Sequence, residues 1–431
     1  MTDLIRLLFR TRKSGQGEGV PDFSTSLFFI LGRYIEEMTM KYSAIAAGVI
    51  LSTLGFSGTA HAEDDAFITA LKEGKPLLNL RLRHEEVDSD GAAEDAQALT
   101  LRTRLGYQSG TLHGFDVMGE FEDTRIVGQV DNYAPEQAGY PVIADPEVTE
   151  LNRAAIRYTG SHALEGLVAT YGRQRIIYDN ARFVGNVGWR QDEQTFDGAR
   201  IDYGISDFSV SAAHLTQVNG ITPGFDANVT NNLFNASWAG MPGGSLTAYA
   251  YLLETDNVTD SQNDTYGVRY AGAFDLDAVK LLLTLEGAQQ EVEAGDTDYY
   301  FAELGAEVAG VTVKVAQEVL GSDDGLVAFQ TPLATKHAFN GWADQFLATP
   351  ADGLEDTFVT VGGKLAGFKL AAVYHDFQSN EGSTDYGTET DLLMARPIGK
   401  HYVVGLKYAQ YSADDFKDDT SKYWAWGEIK F

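Results

Sequence analysis

The chain has 431 residues and a formal net charge of −30, from 62 acidic and 32 basic side chains. So acidic a chain is poorly suited to nucleic acid, because phosphate backbones are bound by surfaces rich in lysine and arginine. It contains no cysteine, which excludes a disulfide framework and a thiolate metal site.

The stretch that begins at Met40, MKYSAIAAGVILSTLGFSGTAHA, has the layout of a secretory signal. Lys41 gives a positive start, 44–54 is apolar, and the final AHA has the small residues of a cleavage site. The apolar run is shorter than the roughly 20 residues that a membrane-spanning helix needs. We therefore predict a signal peptide at 40–62, preceded at 1–39 by an upstream extension that reflects the choice of start codon.

A short lead, 63–75, has helical character and is predicted to lie in the periplasm. From 76 to 431 the chain consists of segments of about ten residues in which apolar and polar side chains alternate, separated by turn residues. We count eighteen such segments, the first near Leu77 and the last near Lys422. The predicted fold class is all-β: a transmembrane antiparallel β-barrel of 18 strands.

The connections between the predicted strands differ in length. Short ones are 109–114, 241–244, 309–310, 366–367 and 398–400, whereas 126–148, 179–194 and 321–353 are long and polar. We expect short periplasmic turns and long extracellular loops, with both ends of the barrel on the periplasmic side. A secreted β-sandwich is the alternative, but it rarely needs so many strands.

The last segment, KYWAWGEIKF, is amphipathic and ends in an aromatic residue, Phe431. Such a strand is typical of proteins that the outer-membrane insertion machinery handles. We therefore expect a protein of the outer membrane of a Gram-negative bacterium, in contact with lipid and lipopolysaccharide.

Arginines recur at alternate positions in the first six segments, as in LLNLRLRHEE (77–86) and LVATYGRQRIIY (167–178). A lipid-facing arginine costs about 2–4 kcal/mol at mid-depth, so the alternation directs these side chains into the lumen. The predicted lumenal set is Arg81, Arg83, Arg102, Arg104, Arg153, Arg157, Arg173, Arg175 and Arg200. We expect these arginines to form a basic wall along the solute path.

Two interpretations of this wall remain open. The arginines of the first two segments could simply pair with Asp116, Glu120 and Glu122, which face inward from the third. The five arginines of segments four to six have only Asp202 inward nearby, and the turn near His162 sets Arg153 close to Arg173. This second group favours a functional basic patch, because rings of arginine or lysine select anions in pores.

The long loops have two interpretations as well. The stretches 126–148, 179–194 and 321–353 are long enough to fold inward as constrictions, but they could equally form an extracellular cap.

The chain resembles the alginate export family of outer-membrane proteins at four stretches: LLNLRLRHEEVD, ADPEVTELNRA, YGRQRIIYDNARFVGNVGWRQDEQTFDGARI and FQTPLATKHAFNGWADQFLATPADGLED. The resemblance implies an eighteen-stranded monomeric barrel. For the founding type it implies passage of an anionic uronate polymer past an arginine-rich constriction.

Catalytic and metal motifs are missing from the sequence: it has no H-E-x-x-H, G-x-S-x-G or P-loop. His375 and Asp376 point to opposite faces of a strand, and the acidic loop runs do not match a calcium loop. We therefore predict no catalytic residues, cofactor or metal site. The predicted function is an outer-membrane channel for anionic, carboxylate or uronate-type solutes or polysaccharide. The alternatives are a general or small-nutrient porin, and an enzyme or adhesin on a barrel scaffold.

Overall fold

The computed structural model describes residues 62–431, with side chains from Ala66 onward. The predicted extension 1–39 and the predicted signal peptide, except its last residue, lie outside the described residues. The described part opens with the helix α1, Ala62–Lys72. None of its helices is long and apolar enough to cross a membrane.

Twenty strands follow the helix. The first nine are β1 Lys75–Ser89, β2 Ala96–Gln108, β3 Phe115–Asn132, β4 Val148–Thr159, β5 Leu167–Gln174, β6 Thr195–Ile205, β7 Phe208–Asn219, β8 Ala227–Met241 and β9 Gly244–Leu253. The remaining eleven are β10 Asn263–Leu276, β11 Val279–Val292, β12 Gly295–Val308, β13 Val311–Leu320, β14 Ser322–Asp323, β15 Val327–Ala328, β16 Leu354–Leu365, β17 Phe368–Gln378, β18 Asp385–Ile398, β19 Tyr402–Ala413 and β20 Thr420–Lys430.

Eighteen of these strands form one closed antiparallel sheet, and β14 and β15 form a separate small hairpin. Each barrel strand pairs with its neighbours along the chain, and β1 also pairs with β20, where Leu80 lies opposite Ile429. Closure leaves no strand edge unpaired, and this is necessary because backbone groups find no water to bond within the membrane interior. The predicted all-β, 18-stranded antiparallel barrel is confirmed, and its first and last strands begin two residues before the expected Leu77 and Lys422.

The connections are short at one end of the barrel and long at the other. At the short-turn end, residues 309–310 and 366–367 are complete connections. At the long-loop end, two connections fill much of the interior: 175–194, here the β5–β6 loop, and 321–353, here the β13–β16 loop. The third long connection is shorter than expected and spans only 133–147, because β3 continues to Asn132.

The two faces of the sheet differ as the alternation requires. Large apolar side chains project outward, and Phe121, Tyr171 and Leu304 are 61%, 67% and 62% exposed. Inward-facing charged side chains such as Arg83 and Glu122 are buried. A band of exposed apolar side chains outside and polar side chains inside is the arrangement of a barrel in lipid.

A hydrophobic core lies inside the barrel, in the half towards the long loops. Val184 of the β5–β6 loop and Phe329 and Phe346 of the β13–β16 loop are buried there together with inward side chains of the strands, such as Phe196 and Leu215. The two loops therefore fold into the lumen, as the constriction interpretation of the sequence expected.

Candidate functional site

The inward arginines of β1 and β2 lie beneath the β5–β6 loop. Arg81 and Arg102 are directly opposite each other in the strand register. The Arg81 guanidinium donates to the carbonyl oxygens of Gly188, at 3.1 Å, and Trp189, at 2.8 Å, and its Nε donates to the side chain of Gln191. Arg81 therefore holds the loop against the barrel wall.

Arg83 and Arg104 act in the same way. Arg83 bonds to the Trp189 carbonyl and to Asp145, whereas Arg104 forms an ion pair with Glu122 and donates to the carbonyl oxygen of Gln191 at 3.4 Å. Side-chain exposure is 1% for Arg83, 9% for Arg104 and 3% for Arg102. These buried arginines anchor loops and acids, so little of them is open to a passing solute.

Two of the three inward acids of β3 bind arginines of β4. Arg153 binds Glu120 through two hydrogen bonds of 2.8 Å, and the Nε of Arg157 donates to Asp116 at 2.9 Å. The register explains the pairing, because Glu120 lies opposite Arg153 and Asp116 opposite Arg157. The expectation that only Asp202 lies near the arginines of β4 to β6 is therefore wrong.

The remaining three predicted arginines also have carboxylate partners. Arg173 binds Asp197 at 2.8 and 3.0 Å, and Arg200 binds Asp202 at 2.9 and 2.7 Å. Arg175 forms an ion pair with the buried Glu193.

Arg173 and Arg175 do not share one face of a single strand, contrary to the sequence-based expectation. The strand β5 ends at Gln174, so Arg175 belongs to the β5–β6 loop. In the register Arg173 lies between Ala154 and Asp197, on the face of the exposed Tyr171. Thr170 lies on the other face, so Arg173 is not on the inward face where the sequence alternation placed it.

One row of inward side chains crosses the wall between β4 and β6. Thr170 lies opposite Arg157 on one side and opposite Arg200 on the other. The Arg157 side chain is 44% exposed and that of Arg200 is 24% exposed, far more than the arginines of β1 and β2. Because adjacent strands are about 4.8 Å apart, the two backbones lie about 10 Å from each other. The row therefore presents two solvated cations across one gap.

The two lumenal loops meet at a buried group of charges, here the junction. It consists of Arg190, Asp344, Glu85, Lys422 and His337. Arg190 contacts both oxygens of Glu85 at 3.0 Å and one oxygen of Asp344 at 2.8 Å. Lys422 reaches that same Asp344 oxygen at 2.8 Å, and His337 Nδ1 lies 2.6 Å from the other. The junction thus ties both loops to β1 and β20.

Aromatic rings surround the junction. Trp189 stacks on His337 with ring centroids 5.3 Å apart, and the Lys407 ammonium lies 3.8 Å from the Trp342 ring centroid. Lys407 also lies 2.7 Å from His337 Nε2. Burial first, and then nearby cations such as Lys407, lower the pKa of His337 to about 3, so the ring is neutral. A neutral ring donates from Nδ1 to Asp344 and accepts from Lys407 at Nε2.

A second anchor joins the loops to the opposite wall. Arg182 binds both oxygens of Glu318, at 2.7 and 3.2 Å, and the side-chain oxygen of Asn340 at 2.9 Å. Burial disfavours the cation, but the contact with Glu318 outweighs it and raises the pKa of Arg182. Arg182 thus links the β5–β6 loop, the β13–β16 loop and β13.

Sequence reasoning missed several of these residues. Glu85, Glu318, Lys407 and Lys422 are inward polar positions on amphipathic strands, and the alternation that located the arginines would have located them too. Their partners in the loops carry no comparable signal. Within residues 62–431 no cluster of three or more histidine, aspartate or glutamate side chains is arranged to hold a metal ion.

A family model described as alginate export matches residues 78–308, which is more than half of the chain. No curated protein sequence matches the chain.

Solved structures share the architecture. OccK9 (OpdG) of Pseudomonas aeruginosa is 11% identical, with a TM-score of 0.66 over 84% of this chain and 100% of that one. OccAB4 of Acinetobacter baumannii is 11% identical, with a TM-score of 0.67 over 83% and 98% of the two chains. OpdK of Pseudomonas aeruginosa, crystallised with vanillate, is 13% identical, with a TM-score of 0.64 over 84% and 99%. At such low identity these similarities describe the fold.

Proposed function

Because the chain belongs to the alginate export family and lies in the bacterial outer membrane, we propose that it passes anionic, carboxylate-bearing solutes through its lumen. The outer-membrane location and the porin-type barrel rest on the family and on the solved neighbours. The anionic class of solute rests on the lumenal arginines.

The row formed by Arg157, Thr170 and Arg200 is the observation that carries the proposal. Only the Nε of Arg157 has a carboxylate partner within the described residues, so its two Nη groups are free to donate to a solute. A carboxylate accepts two parallel hydrogen bonds from such a guanidinium. Thr170 adds a hydroxyl donor between the two cations.

Transport in this proposal is passive diffusion. Asp116 and Asp202 partly neutralise the two arginines, which keeps the attraction for an anion shallow. A shallow site suits a channel, because a solute must be able to leave as readily as it enters.

The packed loops favour a small-solute porin over polymer export for the conformation described here. The junction and the core inside the barrel fill the long-loop half of the lumen. A uronate polymer would pass only if the β5–β6 and β13–β16 loops moved out of the lumen.

The same proposal gives the chain no catalytic role and makes it a monomer, whose sheet closes on its own strands and needs no second copy to complete it. Its outer face meets lipid and lipopolysaccharide. Insertion is proposed to use the β20 strand that precedes Phe431.

Liposome swelling tests the proposal. Vesicles that contain the protein should swell faster in glucuronate than in glucose, which is of similar size but uncharged. The double variant Arg157→Gln/Arg200→Gln should lose most of that difference. The matched control Arg269→Gln removes an inward arginine of β10 that is 12% exposed, and it should keep the preference. Equal swelling in both sugars by the unaltered protein would refute the proposal.

A further inference from the structure

A cavity of about 570 Å³ lies at the long-loop end, above the junction. Its walls are the ends of strands such as β7, β8 and β9, and its floor is made by the β5–β6 and β13–β16 loops. We call this cavity the vestibule. Its volume falls in the range of about 300–1,000 Å³ that is usual for small-molecule sites.

Apolar side chains make up one part of the vestibule wall, and neutral polar residues such as Asn231 and Thr255 make up another. The apolar side chains include Val218, Ile221, Phe225 and Leu333. Phe225 is 65% exposed, and Val142, which also lines the vestibule, is 64% exposed. Exposed apolar side chains gathered around one concave site are informative, because single ones are common but clusters mark contact surfaces.

The charged groups of the vestibule are mostly cations. Arg190, Lys336 and Lys422 line it, against a single carboxylate, that of Asp344. Arg190 and Lys422 already share that carboxylate in the junction. Lys336 forms no ion pair with a carboxylate within residues 66–431, and burial, followed by the neighbouring cation Arg182, lowers its pKa.

We propose that the vestibule binds a small monocarboxylate with a compact hydrocarbon body, its carboxylate on Lys336 and its body against Val218, Ile221 and Phe225. The inference rests on the proposed channel function, for which it names the solute class. A uronate has the same carboxylate, but its hydroxyl groups would lose water where they meet Val218, Ile221 and Phe225, whose side chains offer no hydrogen-bond partner. The vestibule thus distinguishes a carboxylate with a hydrocarbon body from one with a hydroxylated body.

Isothermal titration calorimetry on the full chain in detergent separates the contribution of the carboxylate from that of the hydrocarbon body. Three six-membered-ring compounds serve as ligands. They are cyclohexanecarboxylate, glucuronate and the uncharged cyclohexanecarboxamide. We expect cyclohexanecarboxylate to bind at least about tenfold more tightly than either of the others, since glucuronate lacks the hydrocarbon body and cyclohexanecarboxamide lacks the charge. Glucuronate binding as tight as that of cyclohexanecarboxylate would overturn the inference.

Two variants assign the contributions to residues. Lys336→Met keeps the length of the side chain and should weaken cyclohexanecarboxylate binding by about tenfold or more. Ile221→Asn should weaken cyclohexanecarboxylate binding but leave glucuronate unchanged. The control Lys400→Met alters an exposed lysine at the short-turn end and should change neither. If Lys336→Met and Lys400→Met behave alike, Lys336 does not hold the carboxylate and the inference fails.

The same preparations distinguish a failure here from a failure of the proposed channel function. A protein that prefers glucuronate over glucose in liposome swelling but binds no cyclohexanecarboxylate refutes only the inference about the vestibule. A protein that binds cyclohexanecarboxylate but shows no preference for anions in swelling refutes the channel proposal.

Discussion

Replacing Arg190 with methionine should release the two lumenal loops. Arg190 is buried and donates hydrogen bonds to two carboxylates, those of Glu85 and Asp344. Methionine keeps much of the side-chain volume but removes the charge, so that Glu85 is left buried without its main partner. Asp344 keeps Lys422, and the loss is therefore concentrated on the contact with β1.

Removing one partner of a buried ion pair costs about 3–5 kcal/mol, most of which is the penalty for the charge left behind. The cost falls on the docked state of the β5–β6 loop, because the strands of the barrel keep their own ladder. A cost of about 3 kcal/mol changes the ratio of undocked to docked loops by more than about a hundredfold.

Single-channel recording in a planar bilayer measures this ratio. Arg190→Met should show larger or more frequent open levels than the unaltered protein, because the loop no longer fills the lumen. The control Arg125→Met removes an ion pair with Asp123 whose arginine is 43% exposed, and it should change little, since exposed pairs contribute about 0–1 kcal/mol. Identical recordings for Arg190→Met and the unaltered protein would refute the view that the junction holds the loops.

Three further predictions concern the same architecture. An undocked His337 takes up a proton below about pH 6.5, whereas burial and nearby cations hold its docked pKa at about 3. Between these values acid should therefore shift the free energy towards the undocked loops, by at most about 1.4 kcal/mol per pH unit, and so raise the conductance, less so in His337→Gln. Gly172→Ala places a Cβ 2.3 Å from a carbonyl oxygen at a φ of +117°, so its thermal midpoint should fall by the equivalent of about 1–3 kcal/mol, whereas Gly119→Ala, with open space at its Cβ, should be near neutral. Arg182→Ala should speed protease cleavage of the β13–β16 loop, because Glu318 is left buried without a cation, with only the hydrogen bonds from Tyr299 and Asn340; an unchanged cleavage rate would show that Arg182 does not anchor the loop.

The strands of this barrel were predictable because lipid and lumen impose opposite chemistry on successive side chains. A strand such as LLNLRLRHEE places leucine outside and arginine inside with a period of two, and that period is visible in the sequence. The first residues of the barrel strands were predictable within three residues, because turn residues precede them.

The pairing of the arginines was not predictable, because it depends on register. Between β3 and β4 the register shifts at Glu120 and Phe121, so that Asn152 is an extra residue and Glu120 lies opposite Arg153. A bulge of one residue leaves no clear mark in the sequence. Sequence reasoning therefore located the acids on β3 and allowed for the pairing of Glu122 with Arg104, but it missed that Glu120 and Asp116 bind arginines of β4.

The loop contacts were hidden for a different reason. Arg190 and Glu85 are separated by 105 positions along the chain, and nothing local connects them. The length of the β5–β6 loop showed that it could enter the lumen, but only the folded chain identifies which charges meet there. Nothing local in the sequence marks the end of β5 at Gln174 either, and this end places Arg175 in the loop.

The reversal potential of single channels in a salt gradient tests the central claim most directly. The unaltered protein should prefer anions, and Arg157→Gln/Arg200→Gln should lose that preference while Arg269→Gln retains it. Preference for cations in the unaltered protein, unchanged in the double variant, would contradict the account. It would mean that the acidic side chains dominate the lumen and that the two arginines serve only their carboxylate partners.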